Sequence, residues 1–285
     1  MANPLHREIE AALTTPVKMS ISLGGGMVGQ VYRVELADGR QVVAKTTSNP
    51  EAFLEREGAM LRYLAENSSL PVPAVLHSSA TLLLMEYVEG NSGFSPMAEQ
   101  HAAALLADLH GITAPAYGLE VPTLIGGLHQ PNPWTDSWID FFRDQRLLYM
   151  AGVAHRAGRL PEALHRRVES FAQQLPCWLI EPERPALLHG DVWTTNVLAV
   201  GGRITAFIDP AIYYGHPEIE LAFITLFNTF GAAFFERYQA LRTIAPRFWE
   251  ERRDIYNLYP LLVHVRLFGG GYVSGVDRTL RRFGY

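Results

Sequence analysis

Cysteine is almost absent: Cys177 is the single thiol in 285 residues. No intrachain disulfide and no cysteine-built zinc site can form. The thiol reads as a small, partly buried apolar residue, with a reactive group as the alternative. Long hydrophobic runs are missing too. No window approaches the roughly 18 apolar residues of a membrane span, and MANPLHREIEAAL holds no apolar leader core. Neither secretion nor insertion is expected, and the cytoplasm is the expected compartment. A basic excess is also lacking. Lys and Arg number 24 against 29 Asp and Glu, for a net charge of −5, which excludes a general nucleic-acid binder held by phosphate contacts. There is no internal repeat and no low-complexity tract. Hydrophobic residues at 48% and charged residues at 19% indicate a folded chain rather than a disordered one.

What is present divides into two parts. LHREIEAAL (residues 5–13) has apolar side chains at helical spacing. ISLGGGMVGQVYRVELADGRQVVAKT then reads as a meander, with a glycine turn, an alternating run from Val31 to Leu36, a turn at Ala37-Asp38-Gly39 and a second run to Lys45. EAFLEREGAMLRYLAEN follows as a helix, and PVPAVLHS and TLLLMEYVEG as two strands. From Ser95 the pattern turns helical: MAEQHAAALLADLHG, then a Pro- and Gly-rich loop (114–133), the aromatic helix WTDSWIDFFRDQRLLYMAG, and LPEALHRRVESFAQQL. Two short apolar runs, ALLHG and ITAFIDP, precede helices from about 218 to the end. The expected fold is α+β and bilobal: a small β-rich lobe, residues 1–88, before a larger, mainly helical lobe, residues 89–285.

The chemistry-bearing residues cluster around LHGDVWTTN (188–196) and FIDP (207–210). Asn196 and Asp209 flank VLAVGGRITAFID, and a hairpin turning at Gly201-Gly202 would bring them together. A carboxylate and an amide oxygen can share a magnesium ion, which takes hard oxygen ligands. Asp191 would then be free to accept a proton from a hydroxyl. An Asp followed five positions later by Asn, with a further Asp downstream, is the arrangement of the kinase catalytic loop. Alone, that spacing is common; the HGD before it and the apolar-Asp-Pro after it make it informative.

The N-terminal part offers an independent check, because phosphoryl transfer needs a cradle and a cation for the phosphates. LGGGMVGQVY supplies Gly24, Gly25, Gly26 and Gly29 between strand-like runs, and no Gly-Lys-Ser/Thr of a Walker A motif follows. A plain hairpin turn would use such glycines too. Lys45 lies on the next strand in VVAK, close to the kinase VAIK pattern, and Glu57 on the next helix is placed to pair with it. In MEYVEG the backbone of Glu86, Tyr87 and Val88 would border an adenine ring where the lobes join. The joint order of these features indicates a kinase-like phosphotransferase.

HGD in place of the HRD of protein kinases, and DP in place of DFG, resemble the aminoglycoside and choline phosphotransferases. Within that group HGDVWTTN and DPAIYYGHPEIELA are similar to the HGDLWSGN-like and DPAxYYGHxExELA-like segments of the fructosamine kinase family. LGGG and GGLHQPNPWTDSWIDFFRDQRL are also similar to the family, and VHVRLFGGGY less distinctly, so the resemblance covers nearly the whole chain. It implies an ATP-dependent kinase acting on ketosamines, the sugar adducts of amines. Such enzymes phosphorylate a sugar hydroxyl, typically at C3, and the product then decays and regenerates the amine.

By position, the resemblance makes Asp191 the base and Asn196 and Asp209 the Mg2+ ligands. It places Lys45, held by Glu57, on the ATP phosphates. Trp193 is expected to stack on a sugar face, and Tyr214, His216 and Glu218 to bind sugar hydroxyls. Glu220 is expected to accept from backbone amides of the catalytic loop. Thr194 and Thr195 replace the family's small residues, and Met27 stands where many relatives carry a cysteine. The expected partner is a ketosamine, small or protein-bound, with no nucleic acid and no membrane, and the chain is expected to act as a monomer. Two other readings are a phosphotransferase for an aminoglycoside- or choline-like amine, for which YYGHPE offers only modest negative charge, and a non-catalytic nucleotide-binding pseudokinase.

Overall fold

The alternation read from residues 17–46 folds as a sheet in the computed structural model, which describes residues 3–25, 29–49 and 53–285. Helix α1 (Pro4–Leu13) leads to β1 (Val17–Gly25), β2 (Gln30–Leu36) and β3 (Gln41–Thr46). After α2 (Leu54–Asn67) come β4 (Val75–Ser78) and β5 (Leu82–Glu86). The five strands form one antiparallel sheet in the order β1-β2-β3-β5-β4. Successive strand residues face opposite sides. Val42 and Ala44 of β3 therefore enter a core with Val34 and Leu36, while Val43 faces the cluster of Leu54 and Leu61 from α2. Lys45, two residues after Val43, shares the α2 side.

The rest of the chain is built on helices. Helix α3 (Pro96–Leu109) is followed by a hairpin, β6 (Thr123–Ile125) and β7 (Leu128–Gln130), where a loop is predicted. Gly126 and Gly127 at its tip have φ of +53° and +78°, the left-handed pair a tight hairpin turn requires. The predicted aromatic helix starts later and is continuous but irregular: α4 (Trp138–Phe141), a π-helical turn (Phe142–Leu148) and α5 (Tyr149–Arg156). Then come α6 (Glu162–Ala172), β8 (Ala186–Leu188), β9 (Val197–Val200), β10 (Arg203–Phe207) and β11 (Tyr213–Gly215). Helices α7 (Pro217–Leu226), α8 (Ala232–Leu241), α9 (Arg253–Tyr256), α10 (Leu258–Phe268) and α11 (Gly271–Arg282) complete the chain. Cys177 is exposed in a 3-10 turn rather than partly buried. Among the described residues no helix is long and apolar enough to cross a membrane.

The two parts are clamped where the chain passes between them. Strand β5 ends at Glu86, four residues before the predicted Gly90. Asn91 then exchanges two backbone hydrogen bonds with Ala199 of β9 (3.0 and 2.9 Å), and the Thr205 hydroxyl of β10 donates to Glu89 O at 2.8 Å. A Cβ at Gly90 would stand 2.9 Å from both Leu198 Cβ and Thr205 Oγ1. The linker therefore rides on the β9–β10 hairpin, the element that also carries Asn196 and Asp209 at its ends.

Candidate active site

Strand β8 delivers His189-Gly190-Asp191 to a turn that only glycine can make. Gly190 has φ of +85°, and a Cβ there would lie 2.1 Å from the Ala211 carbonyl oxygen. Behind the turn, Glu220 of α7 accepts from Gly190 N–H at 2.6 Å and His189 N–H at 3.4 Å. His110 Nε2 donates to the same carboxylate at 2.9 Å, leaving Nδ1 to accept from the Tyr238 hydroxyl at 2.7 Å. Burial works against the Glu220 charge, but these donors outweigh it and hold the carboxyl below its usual range.

A 3-10 turn at Thr194–Asn196 then folds the chain back. Asn196 Nδ2 donates to the backbone oxygen of Asp191 at 3.0 Å and to its carboxylate Oδ2 at 2.9 Å. That is what the five-residue spacing accomplishes. Strands β9 and β10 pair Val197 with Phe207, and Ile208 N–H donates to Asn196 O at 2.9 Å. Asp209 thereby arrives beside Asn196, in a left-handed conformation with φ of +53°. Asp adopts that conformation more readily than most residues, and such backbone strain recurs at functional sites.

Lys45 meets this group from the sheet. Its Nζ donates to Glu57 Oε1 at 2.6 Å and to Asp209 Oδ1. The Lys45 and Glu57 side chains are only 14% and 13% exposed, while the Asp209 side chain is 42% exposed to the cleft. Burial opposes the Lys45 charge, yet Asp209 and Glu57 more than compensate and the ammonium is held firmly. Asp209 is likewise kept below the usual carboxylate range, Lys45 outweighing its desolvation. Asp191 goes the other way. Burial first, and the Asp209 charge second, push its carboxyl up to about 8, with Asn196 only partly opposing them. Two carboxyl groups a few residues from one lysine thus differ in proton affinity, as acid–base assignments require.

Two cavities open onto Asp191. One, of about 110 Å³, is lined by Gly29, Lys45, Glu57, Asn196 and Asp209. The other, of about 220 Å³, is lined by Leu188, Tyr213, Phe223, Phe227 and Tyr259 among others. Asp191, Trp193 and Gly126 of the hairpin tip border both. Trp193 is half-buried against Phe227 (ring centroids 5.6 Å apart).

Several predicted site residues stand elsewhere. Tyr214 points away because β11 alternates: Tyr213 lines the larger cavity, while the Tyr214 hydroxyl meets that of Tyr63 at 3.1 Å. His216 caps α7, its Nδ1 accepting from Glu218 N–H at 3.1 Å. Glu218 is buried in a two-pronged ion pair with Arg252 (2.6 and 2.7 Å). These three residues border neither cavity, so the structure does not bring Tyr214, His216 or Glu218 to Asp191 with the other predicted site residues. Helical periodicity explains the outcome: on α7, Ile219 and Phe223 share the cavity face, four residues apart.

Glu86 ends the interior strand β5, Tyr87 and Val88 follow it, and none lines either cavity; Tyr87 N–H donates to Gln41 O at 3.3 Å and its ring carries the Arg33 guanidinium. Gly24 and Gly25 close β1, whereas Gly29 meets the Thr46 carbonyl so closely that a Cβ would lie 2.3 Å from it. Gly26 and Met27 lie outside the described residues.

A buried polar network beneath the larger cavity is absent from the sequence reading. Arg146, inside the π-helical turn, donates to Pro131 O at 2.8 Å and Asn132 Oδ1 at 2.7 Å, with its guanidinium 3.9 Å from the Tyr213 ring centroid. Tyr259 donates to Gln130 Oε1 at 2.6 Å, and Gln130 donates to Ala211 O at 3.0 Å. No local signal marked Gln130, Asn132 and Arg146, because residues 130–146 carry many other polar side chains.

Comparison with known proteins agrees along the whole chain. The sequence pattern of the fructosamine kinases matches residues 1–283. A probable ketoamine kinase of Synechocystis sp. is 32% identical over 275 residues, covering 92% of this chain and 88% of that protein. A chloroplastic protein-ribulosamine 3-kinase of Arabidopsis thaliana is 30% identical over 276 residues, covering 91% and 82%. Among solved structures, a Thermobifida fusca protein assigned as a fructosamine-3-kinase superposes with a TM-score of 0.87 at 30% identity, covering 99% and 98% of the two chains. An aminoglycoside phosphotransferase in complex with ADP and hygromycin B shares the fold, with a TM-score of 0.71 at 18% identity over 98% of each chain.

Proposed function

Because the chain belongs to the fructosamine kinase family, we propose that it transfers the γ-phosphoryl group of ATP to a sugar hydroxyl of ketosamines. The observation that carries this reading is Asp191 standing in the shared wall of two cavities. One offers a lysine to phosphates and oxygen ligands to their cation, and the other offers aromatic rings to the acceptor.

Lys45, held between Glu57 and Asp209, supplies charge for the phosphates. Asp191 accepts the proton of the attacking hydroxyl, and Asn196 fixes the orientation of its carboxylate. Gly29 lets the start of β2 pass close to the Thr46 carbonyl beside Lys45, and Glu86 to Val88 would border the adenine between lobes of residues 1–88 and 89–285. Trp193 offers its ring to the sugar. The donor set fits Mg2+: hard oxygens of Asn196 and Asp209, with Lys45 the one cation among the described residues lining that cavity. When bound, the ion neutralises charge on the transferring group and favours an ionised Asp191. ATP consumption and a lone thiol suit the cytoplasm.

The test is incubation with Mg·ATP and fructosyl- or ribulosyl-amines, reading ADP and the phosphorylated adduct by mass spectrometry, beside an aminoglycoside panel. ADP formation and a phosphorylated ketosamine are expected; turnover confined to aminoglycosides, or none at all, would overturn the reading.

A further inference from the structure

The larger cavity is walled by a chain of rings running outward from Asp191. Trp193 packs on Phe227 (5.6 Å between centroids), Phe227 on His264 (5.0 Å) and His264 on Tyr272 (4.8 Å). Phe268, 50% exposed, borders the same cavity and packs on His264 and Tyr272. The polar groups along this wall are largely committed. Glu220 serves the loop amides and His110, Tyr259 donates to Gln130, and His264 Nδ1 bonds Pro260 O at 2.7 Å. Burial lowers the proton affinity of His264, and the Pro260 bond only partly opposes it. Among the described residues no Lys or Arg lines this cavity.

We propose that this wall sorts ketosamines by where they carry charge. Adducts of alkyl or aryl amines, a lysine side chain included, are accepted. Adducts on α-amino groups, whose carboxylate sits one carbon from the nitrogen, are rejected. The inference rests on the ketosamine reading above. The secondary ammonium of any such adduct is attracted by the ring faces of Trp193, Phe227 and Tyr272. A methylene chain or a second ring then runs along apolar walls toward Phe268. An α-carboxylate would lose its water against those rings and find no cation to replace it.

The experiment compares kcat/KM, from ADP release by the full chain with Mg·ATP, for sugar adducts of butylamine, benzylamine, Nα-acetyl-lysine amide and glycine. The first three should exceed the glycine adduct by about tenfold or more, the scale on which a pocket discriminates by contacts alone. Phe227→Lys, a cation at the ring that packs on Trp193, should raise kcat/KM for the glycine adduct severalfold, and Phe227→Leu should not. Equal values across the four adducts, or a preference for glycine, overturn the inference while ketosamine phosphorylation stands. No turnover of any ketosamine by a protein folded by circular dichroism overturns the parent reading and this one together.

Discussion

At Asp191 the burial that raises the carboxyl's proton affinity also works against the folded state. Its pKa rises from an ordinary 3.8 to about 8 in the fold. The folded protein therefore holds a proton that the unfolded chain releases, and stability falls as pH rises from about 4 to about 8. Asp191→Asn removes that penalty and the base together. Turnover should fall by about 10²–10⁴ while the melting temperature at pH 8 rises by about 2–4 °C; kinetics and calorimetry on one preparation check both. The sign for activity is the reverse. Only ionised Asp191 accepts a proton, so kcat/KM should rise with pH along an acid limb, near 8 in the free enzyme. Raising Mg2+ should move the limb to lower pH by opposing the Asp209 charge that contributes to the shift, and a pH–rate series at several Mg2+ concentrations measures it.

Among elements, the helix α7 N-terminus has the most consequences. The turn at Gly190 has no interior of its own, and its amides are satisfied by Glu220 with His110 behind it. Glu220→Ala leaves buried donors without an acceptor, at about 1–3 kcal/mol each. The melting temperature should fall by several degrees and kcat should drop, while the KM for ATP changes little because Glu220 lines only the aromatic cavity. Equal losses in KM and kcat would show that the carboxylate supports the nucleotide side as well. Glu220 was readable as an acceptor for loop amides. The β6–β7 hairpin was not, although Gly126-Gly127 marks it, because three-residue strands fall below what alternation can resolve.

For the whole molecule, the cleft exists only where the sheet and the helical part meet. The main apolar cluster joins Met60, Leu64 and Leu70, from α2 and the loop after it, to Leu106 and Leu188, while the sheet residues form two smaller clusters. A ligand bridging Lys45, Asn196 and Asp209 should therefore stabilise the chain as one unit. Mg·ATP at about 100 times its Kd should add about 2.7 kcal/mol, raising the melting temperature by about 5–10 °C; a thermal shift series with and without EDTA checks this, and EDTA should abolish most of the gain.

Glycines, lysine, glutamate, Asp191, Asn196 and Asp209 could be read in order from the sequence because local geometry couples them. A hairpin joins the ends of 197–207, and a short turn lays the Asn196 amide on Asp191. Sequence by itself therefore determined the fold class and the family. It did not place Tyr214, His216 and Glu218, since which face of β11 and α7 meets the cavity depends on Arg252, 34 residues beyond Glu218, and on Tyr63, 151 residues before Tyr214. The tertiary structure alone decided the aromatic wall and the Gln130–Asn132–Arg146 support beneath it. Their partners lie far apart along the chain, and apolar burial specifies that such rings are covered without specifying by what.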